Sequence, residues 1–278
     1  MSRIDKRFAE LRKKRRAAFV PFVTAGDPDL ETSEAILAAL PGAGADLIEL
    51  GMPFSDPMAD GPAVQASSLR ALQSGQDMHK TLELVRRFRK TDSKTPLVLM
   101  GYYNPIHHYG TAKFARDAAS AGVDGLIVVD LPPEEDEVLR TPANAQAIDI
   151  VRLATPTTND ARLGRVLNGA SGYLYYVSVA GVTGTKSFDE AEVRTAVARI
   201  KKASDLPVAV GFGIKTPEQA AQIARIADGA VVGSAIVSRI GELAANGAKR
   251  DEVVKDVAGF CKSLADSVHA ARNDAVVG

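Results

Sequence analysis

Residues 207–237 read PVAVGFGIKTPEQAAQIARIADGAVVGSAIV, a complete strand–helix–strand unit. Two apolar runs, PVAVGFG and GAVVGSAIV, flank an amphipathic stretch, PEQAAQIARIA. Runs with no polar alternation suit strands buried on both faces, as in a parallel sheet covered by helices. Thr216, Pro217 and Gln219 mark the helix start with a side-chain cap, a proline at the first helical position and a box partner.

The same alternation fills the chain. Six further runs precede this unit: AAFVPFVTAG, LIELG, PLVLMGYY, GLIVVD, IVRLAT and GYLYYVSVAG. Helical stretches such as ETSEAILAAL and TAKFARDAASAG lie between them, and Ser187 with Glu190 looks like a second capping box. Eight strand candidates in this length predict an α/β fold of the (β/α)8 TIM-barrel type. An open doubly wound sheet is the competing layout, and it usually has fewer strands. No linker or composition shift divides the chain, so residues 1–278 read as one domain. Residues 1–16 form an extra N-terminal helix, 17–270 the barrel and 271–278 a tail. Ile4, Phe8 and Leu11 share one face of that first helix, which could plug the bottom of the barrel.

Composition excludes several classes. Lys plus Arg and Asp plus Glu both number 34, so there is no basic excess for nucleic acid or membrane surfaces. The basic run Lys13 to Arg16 reads as a solvated helix end. With Cys261 the single cysteine, no intrachain disulfide and no cysteine metal cluster can form. Its apolar helical setting, with Val257, Phe260 and Leu264, makes it a core residue. No apolar run is long enough to span a membrane, and the start lacks a signal-peptide core, so the expectation is a cytoplasmic protein.

Barrel enzymes place their chemistry at the C-terminal ends of the strands. Glu49 lies in Leu47-Ile48-Glu49-Leu50-Gly51. Side chains alternate across a strand, so if Ile48 and Leu50 face the helices, Glu49 faces the barrel interior. A partly desolvated carboxyl there would have a raised pKa suited to acid–base work. The bland alternative is an acid that pairs with a neighbouring Lys or Arg. The next loop, MPFSDPMADGP, is long for its type and holds Asp56 and Asp60. Ordinary turn chemistry accounts for Asp56.

Glycines cluster at the ends of the last three runs: Gly181 and Gly184, Gly211 and Gly213, and Gly233 followed by Ser234. Loops at these positions commonly bind phosphate through backbone N–H groups and a helix N-terminus. Tyr102, Tyr103, Tyr173, Tyr175 and Tyr176 gather at two strand ends, where they either shape a pocket for a flat substrate or pack in the core. His107 and His108 lack further ligands at metal spacing and read as solvent-facing.

The segments PFVTAGDPD, IELGMPFSDPMADGP, YYVSVAGVTG and VAVGFGI, in this order, resemble the tryptophan synthase α subunit family along essentially the whole chain. The resemblance implies a lyase of tryptophan biosynthesis, splitting indole-3-glycerol phosphate by a retro-aldol reaction into indole and glyceraldehyde 3-phosphate. It implies that Glu49 shuttles protons, that Asp60 accepts the ring N–H, and that Thr183 bonds to Asp60 to couple two loops. It places Phe22, Tyr175 and Phe212 around indole, and Gly184, Gly213, Gly233 and Ser234 on phosphate. It further implies a β subunit carrying pyridoxal phosphate, met by loops holding Asp56, Asn104 and Pro132, in an α2β2 tetramer; this chain itself would hold no cofactor and no metal. Some family members carry Arg where this chain has Val179, and the stretch MGYYN varies among them. Two rivals are a phosphosugar isomerase on the same barrel, and a non-catalytic subunit that only activates its partner; Glu49 and Asp60 together argue against both.

Overall fold

The computed structural model describes residues 1–178, 189–211 and 213–272 of the chain. Its strands are β1 (Ala18–Thr24), β2 (Ile48–Gly51), β3 (Leu97–Gly101), β4 (Gly125–Val128), β5 (Asp149–Ile150), β6 (Arg152–Ala154), β7 (Leu174–Val177), β8 (Val208–Gly211) and β9 (Gly229–Val232). Neighbours pair in parallel in the order β5-β4-β3-β2-β1-β9-β8-β7-β6. Because β1 pairs with both β2 and β9, the first and last strands meet. β5 and β6 both derive from the run IVRLAT and flank Val151, whose N–H bonds Leu126. β5 pairs with β4 and β6 with β7, so these two pieces occupy one strand position. The nine strands thus fill the eight expected positions of a barrel, and the open-sheet alternative falls.

Two apolar shells account for the continuous runs. Ile48, Leu50, Leu97, Leu99, Val208 and Val210 face outward into the layer shared with the helices. Val20, Leu47, Val98, Ile127, Val151, Tyr173 and Val231 fill the interior. Ile4, Phe8 and Leu11 join the interior group from the helix Arg3–Lys13, so this helix closes the barrel bottom as its pattern suggested. Cys261 is fully buried in the outer layer on the helix Arg250–Ala270.

At the bottom, one device recurs. Asp46 accepts the N–H of Phe19, Asp124 that of Leu97 and Asp228 that of Val208, each at about 2.9 Å or less. Each acid sits just before a strand and caps the start of the neighbouring one. Each also pairs with cations, Asp46 with Arg16, Asp124 with Arg3 and Arg89, and Asp228 with Lys201, and Asp46 is hydrogen-bonded to the His269 ring as well.

Three boundary expectations need correction. The run GAVVGSAIV is strand only to Val232, because Ser234 already opens the helix Ser234–Ala245. Similarly, PLVLMGYY ends as strand at Gly101, and Tyr103 begins the helix Tyr103–Tyr109. A short apolar run cannot by itself separate a strand from a first buried helical turn. The cap before residue 190 is Asp189, whose carboxylate accepts the N–H groups of Ala191 and Glu192 at 2.8 and 3.2 Å. Glu190 is then the first helical residue, not a box partner of Ser187, which lies outside the described residues. The box at Thr216 and Gln219 is present as read.

Candidate active site

Glu49 stands in β2, where all four residues are buried. It aligns with Phe22 of β1 and Val98 of β3, so it shares their inward face. Only 1% of it is exposed, yet among the described residues no Lys or Arg forms an ion pair with it. Tyr173 donates its hydroxyl to Oε1 at 2.6 Å. Among the described residues no donor meets Oε2. Burial therefore dominates over the single hydrogen bond and raises the Glu49 pKa to about 8. The carboxyl is protonated at neutral pH and one step from releasing its proton.

Tyr173 is the functional neighbour that sequence reasoning missed. It was grouped with Tyr175 as a pocket or core residue, and the structure divides the pair. Tyr173 is fully buried, packs its ring at a 47° tilt against Phe8 with ring centres 5.8 Å apart, and holds Glu49. Tyr175 lines the open cavity above. Their spacing put both on one face, but nothing in it said which would reach an acid on a strand 124 positions away.

Residues 52–61 connect β2 to the helix Pro62–Gln73 and bring Asp60 to the same cavity. Burial raises Asp60 to about 6, with a hydrogen bond to Tyr102 acting in the opposite direction. The loop's other acid, Asp56, is exposed and takes the hydroxyl of Ser55 at 2.5 Å, the turn role its sequence context suggested.

Glu49 and Asp60 thus face one cavity at the mouth of the barrel. Phe22, Met100, Tyr175, Ile214 and Val231 give it apolar walls. Gly213, Gly233 and Ser234 line its other side. Gly213 has a left-handed backbone, φ 80°, a conformation that favours glycine. Gly233 caps the helix Ser234–Ala245, whose first N–H groups have no partner within the helix and carry its positive pole. An anion fits there. Lys215 also borders the cavity, a cation the sequence reading did not call for. Thr183, Gly184 and Phe212 lie outside the described residues, as does Val179.

Asn104 and Pro132 are exposed in the segments that follow β3 and β4, on the same end of the barrel as Asp56. His107 and His108 are exposed too, on a helix and not in the loop expected. A larger cleft lies over β4 and β6, but its buried charges, Arg152 and Asp136, satisfy one another. Glu49 and Asp60, both with raised pKa values, lie at the mouth of the barrel and make it the candidate site.

Comparison with known proteins agrees. A sequence profile described as "Tryptophan synthase alpha chain" matches residues 8–269. The structure of tryptophan synthase subunit alpha from Legionella pneumophila is 41% identical, covering 96% of this chain and 98% of that one, with a TM-score of 0.89. Tryptophan synthase from Mycobacterium tuberculosis is 35% identical, with coverage of 96% and 98% and a TM-score of 0.87. A structure from Aquifex aeolicus is 36% identical over 97% of this chain and all of that one, with a TM-score of 0.87.

Proposed function

The chain belongs to the tryptophan synthase alpha chain family, a family of lyases acting on indole-3-glycerol phosphate in tryptophan biosynthesis, and from that premise we propose that Glu49 and Asp60 divide the proton work of the cleavage. The observation that carries this is the pair of acids facing one cavity, Glu49 buried and Asp60 half-buried, with pKa values pushed to about 8 and about 6. Environments that separate two acids in this way assign them different roles.

The bond between indole C3 and the side chain breaks once C3 carries a proton and the adjoining hydroxyl has lost one. Glu49, protonated at neutral pH, gives its proton to C3. The resulting carboxylate takes the hydroxyl proton as the C–C bond breaks and the aldehyde forms. Glu49 ends the cycle as it began, and the products are indole and glyceraldehyde 3-phosphate. Asp60, ionised at neutral pH, accepts the ring N–H and stabilises positive charge that develops on the protonated ring. Each such group contributes roughly 10² to 10⁴-fold. Phe22 and Tyr175, with Phe212, would hold the flat ring. Gly213, Gly233 and Ser234, with Gly184, would hold the phosphate, whose binding energy fixes the reacting end. Closure through Thr183 and Asp60 would exclude water.

The M. tuberculosis relative is a tryptophan synthase. By that likeness the partner is a β subunit that supplies pyridoxal phosphate and consumes indole, in an α2β2 assembly. Asp56, Asn104 and Pro132 are exposed where such a partner would sit over the barrel mouth. No described helix is long and apolar enough to cross a membrane, which suits a cytoplasmic biosynthetic enzyme.

The test is indole release from indole-3-glycerol phosphate by the purified chain, with and without β subunit. Slow release that rises sharply with the partner supports the reading. No release in either condition refutes it.

A further inference from the structure

Two helices begin at the cavity, and one arginine joins them. The helix Pro62–Gln73 starts directly after Asp60 and Gly61, and the side chain of its Gln65 donates to the Asp60 carbonyl at 2.8 Å. The helix Ser234–Ala245 starts at Gly233, where an anion fits. Arg70, in the second half of the first helix, donates Nε to Oδ1 of Asp27 at 2.7 Å and Nη2 to Oδ2 at 2.9 Å. Nη2 also reaches the Val237 carbonyl of the second helix at 3.2 Å. Asp27 follows β1, and its side chain is wholly buried. The guanidinium lies in a notch at Gly241, where a Cβ would stand 2.7 Å from Nη1. The Thr24 and Ser67 hydroxyls, 2.7 Å apart, and the bond from Ser74 to the Gly26 carbonyl, 3.0 Å, seat the first helix on the end of β1.

We propose that Arg70 is a positioning residue: by holding these two helices to each other and to Asp27, it sets the span between Asp60 and the phosphate end of the cavity. The inference rests on the lyase reading, in which one substrate meets Asp60 with its ring and Gly233 and Ser234 with its phosphate. A helix is a rigid element, so its seating at Arg70 is felt at Asp60. On the other side, the Val237 N–H bonds the Gly233 carbonyl at 3.1 Å, so the arginine grips the very turn that opens the anion site. A buried ion pair adds little net stability over apolar packing. What a guanidinium adds is direction, because its planar fork fixes several acceptors at once.

The test compares the full chain with its Arg70→Lys and Gly241→Ala variants. Lysine keeps the charge and loses the fork. The methyl group added at position 241 leaves Arg70 and Asp27 unaltered and forces the guanidinium off the second helix, at a helix-interior position where alanine is favoured over glycine. Calorimetry gives three dissociation constants: for indole, for glycerol 3-phosphate, and for an uncleavable analogue in which a propyl chain joins indole C3 to phosphate. Affinity for the joined ligand depends on the span, and affinity for each fragment does not. Both variants should bind the joined ligand about tenfold more weakly and each fragment within about twofold of wild type. Gly241→Ala alone decides if Arg70→Lys does not fold. Fragments that weaken as much as the joined ligand would show general loosening and overturn the inference, as would a joined-ligand affinity unchanged in either variant. A wild-type chain that binds the fragments but gains nothing from their joining also overturns it. One that binds none of the three refutes the lyase reading itself, and the inference falls with it.

Discussion

The two ends of the barrel bury acids in opposite ways. At the bottom, Asp46 is 2% exposed and meets Arg16, Arg7, His269 and the Phe19 N–H. Burial pushes its pKa up, but His269, Phe19 and Arg16 together outweigh burial, and the net shift is downward. At the top, Glu49 is equally buried and has a hydroxyl on one oxygen and nothing described on the other. Its pKa rises to about 8. The difference is in the company each acid keeps, not in depth. A saturated acid is locked in one charge state and ties strands together. A half-satisfied acid stays poised between two charge states, which a proton shuttle requires.

The largest expected effect is at the top. Glu49→Gln retains the shape and an acceptor for Tyr173 but cannot exchange a proton. Indole release in the presence of β subunit should fall roughly 10² to 10⁴-fold. Near-normal release would make Glu49 a structural acid like Asp46.

The reciprocal change is Asp46→Asn, which leaves Arg16 and Arg7 facing a neutral group. Unfolding in urea should show a loss of about 2–4 kcal/mol, below the full value for a buried pair because its cations reach solvent. Turnover per folded molecule should change by less than about twofold. A large loss of turnover with stability intact would erase the division between the two ends.

A third effect carries a sign. The folded-state pKa of Glu49 lies above its ordinary 4.5. Between pH 4.5 and about 8 the unfolded chain ionises this group while the folded chain keeps it protonated, so folding stability falls as pH rises through that window. Glu49→Gln removes the penalty. The variant should match wild type near pH 4 and exceed it by on the order of 4 kcal/mol at pH 8. Equal stability at pH 8 would mean that Glu49 is not held as described.

The smallest effect concerns packing at the mouth. A Cβ on Gly211 would lie 1.9 Å from the Tyr175 hydroxyl. Gly211→Ala should cost about 1–3 kcal/mol in stability and raise the KM for substrate by displacing Tyr175. An unchanged KM would show that the mouth is more loosely packed than the bottom.

Much of this contrast was legible in the chain. The alternation Leu47-Ile48-Glu49-Leu50 aimed Glu49 inward, since a strand must send successive side chains to opposite faces. The ten-residue loop and its Asp60 followed from composition and topology. The face of Ile4, Phe8 and Leu11 marked the plug. What the sequence withheld depends on contacts between distant segments. Tyr173 meets Glu49 only because β2 and β7 face each other across the barrel. Asp46, Asp124 and Asp228 look like ordinary loop acids until neighbouring strands present their N–H groups. No Gly or Pro in IVRLAT marks the break at Val151. The tyrosine cluster was visible, but the separate places of Tyr173 and Tyr175 were not, because side-chain partners are set by the stagger of strands and not by spacing along one of them.

The central claim is that half-satisfied burial, not depth, makes Glu49 an acid that works near neutral pH. The most direct measurement is a ¹³C NMR titration of the Glu49 carboxyl in glutamate-labelled protein, its signal identified by its absence in Glu49→Gln. A midpoint near 8 is the expected result. A midpoint near the ordinary 4.5 would contradict the account and return Glu49 to the company of the acids at the bottom.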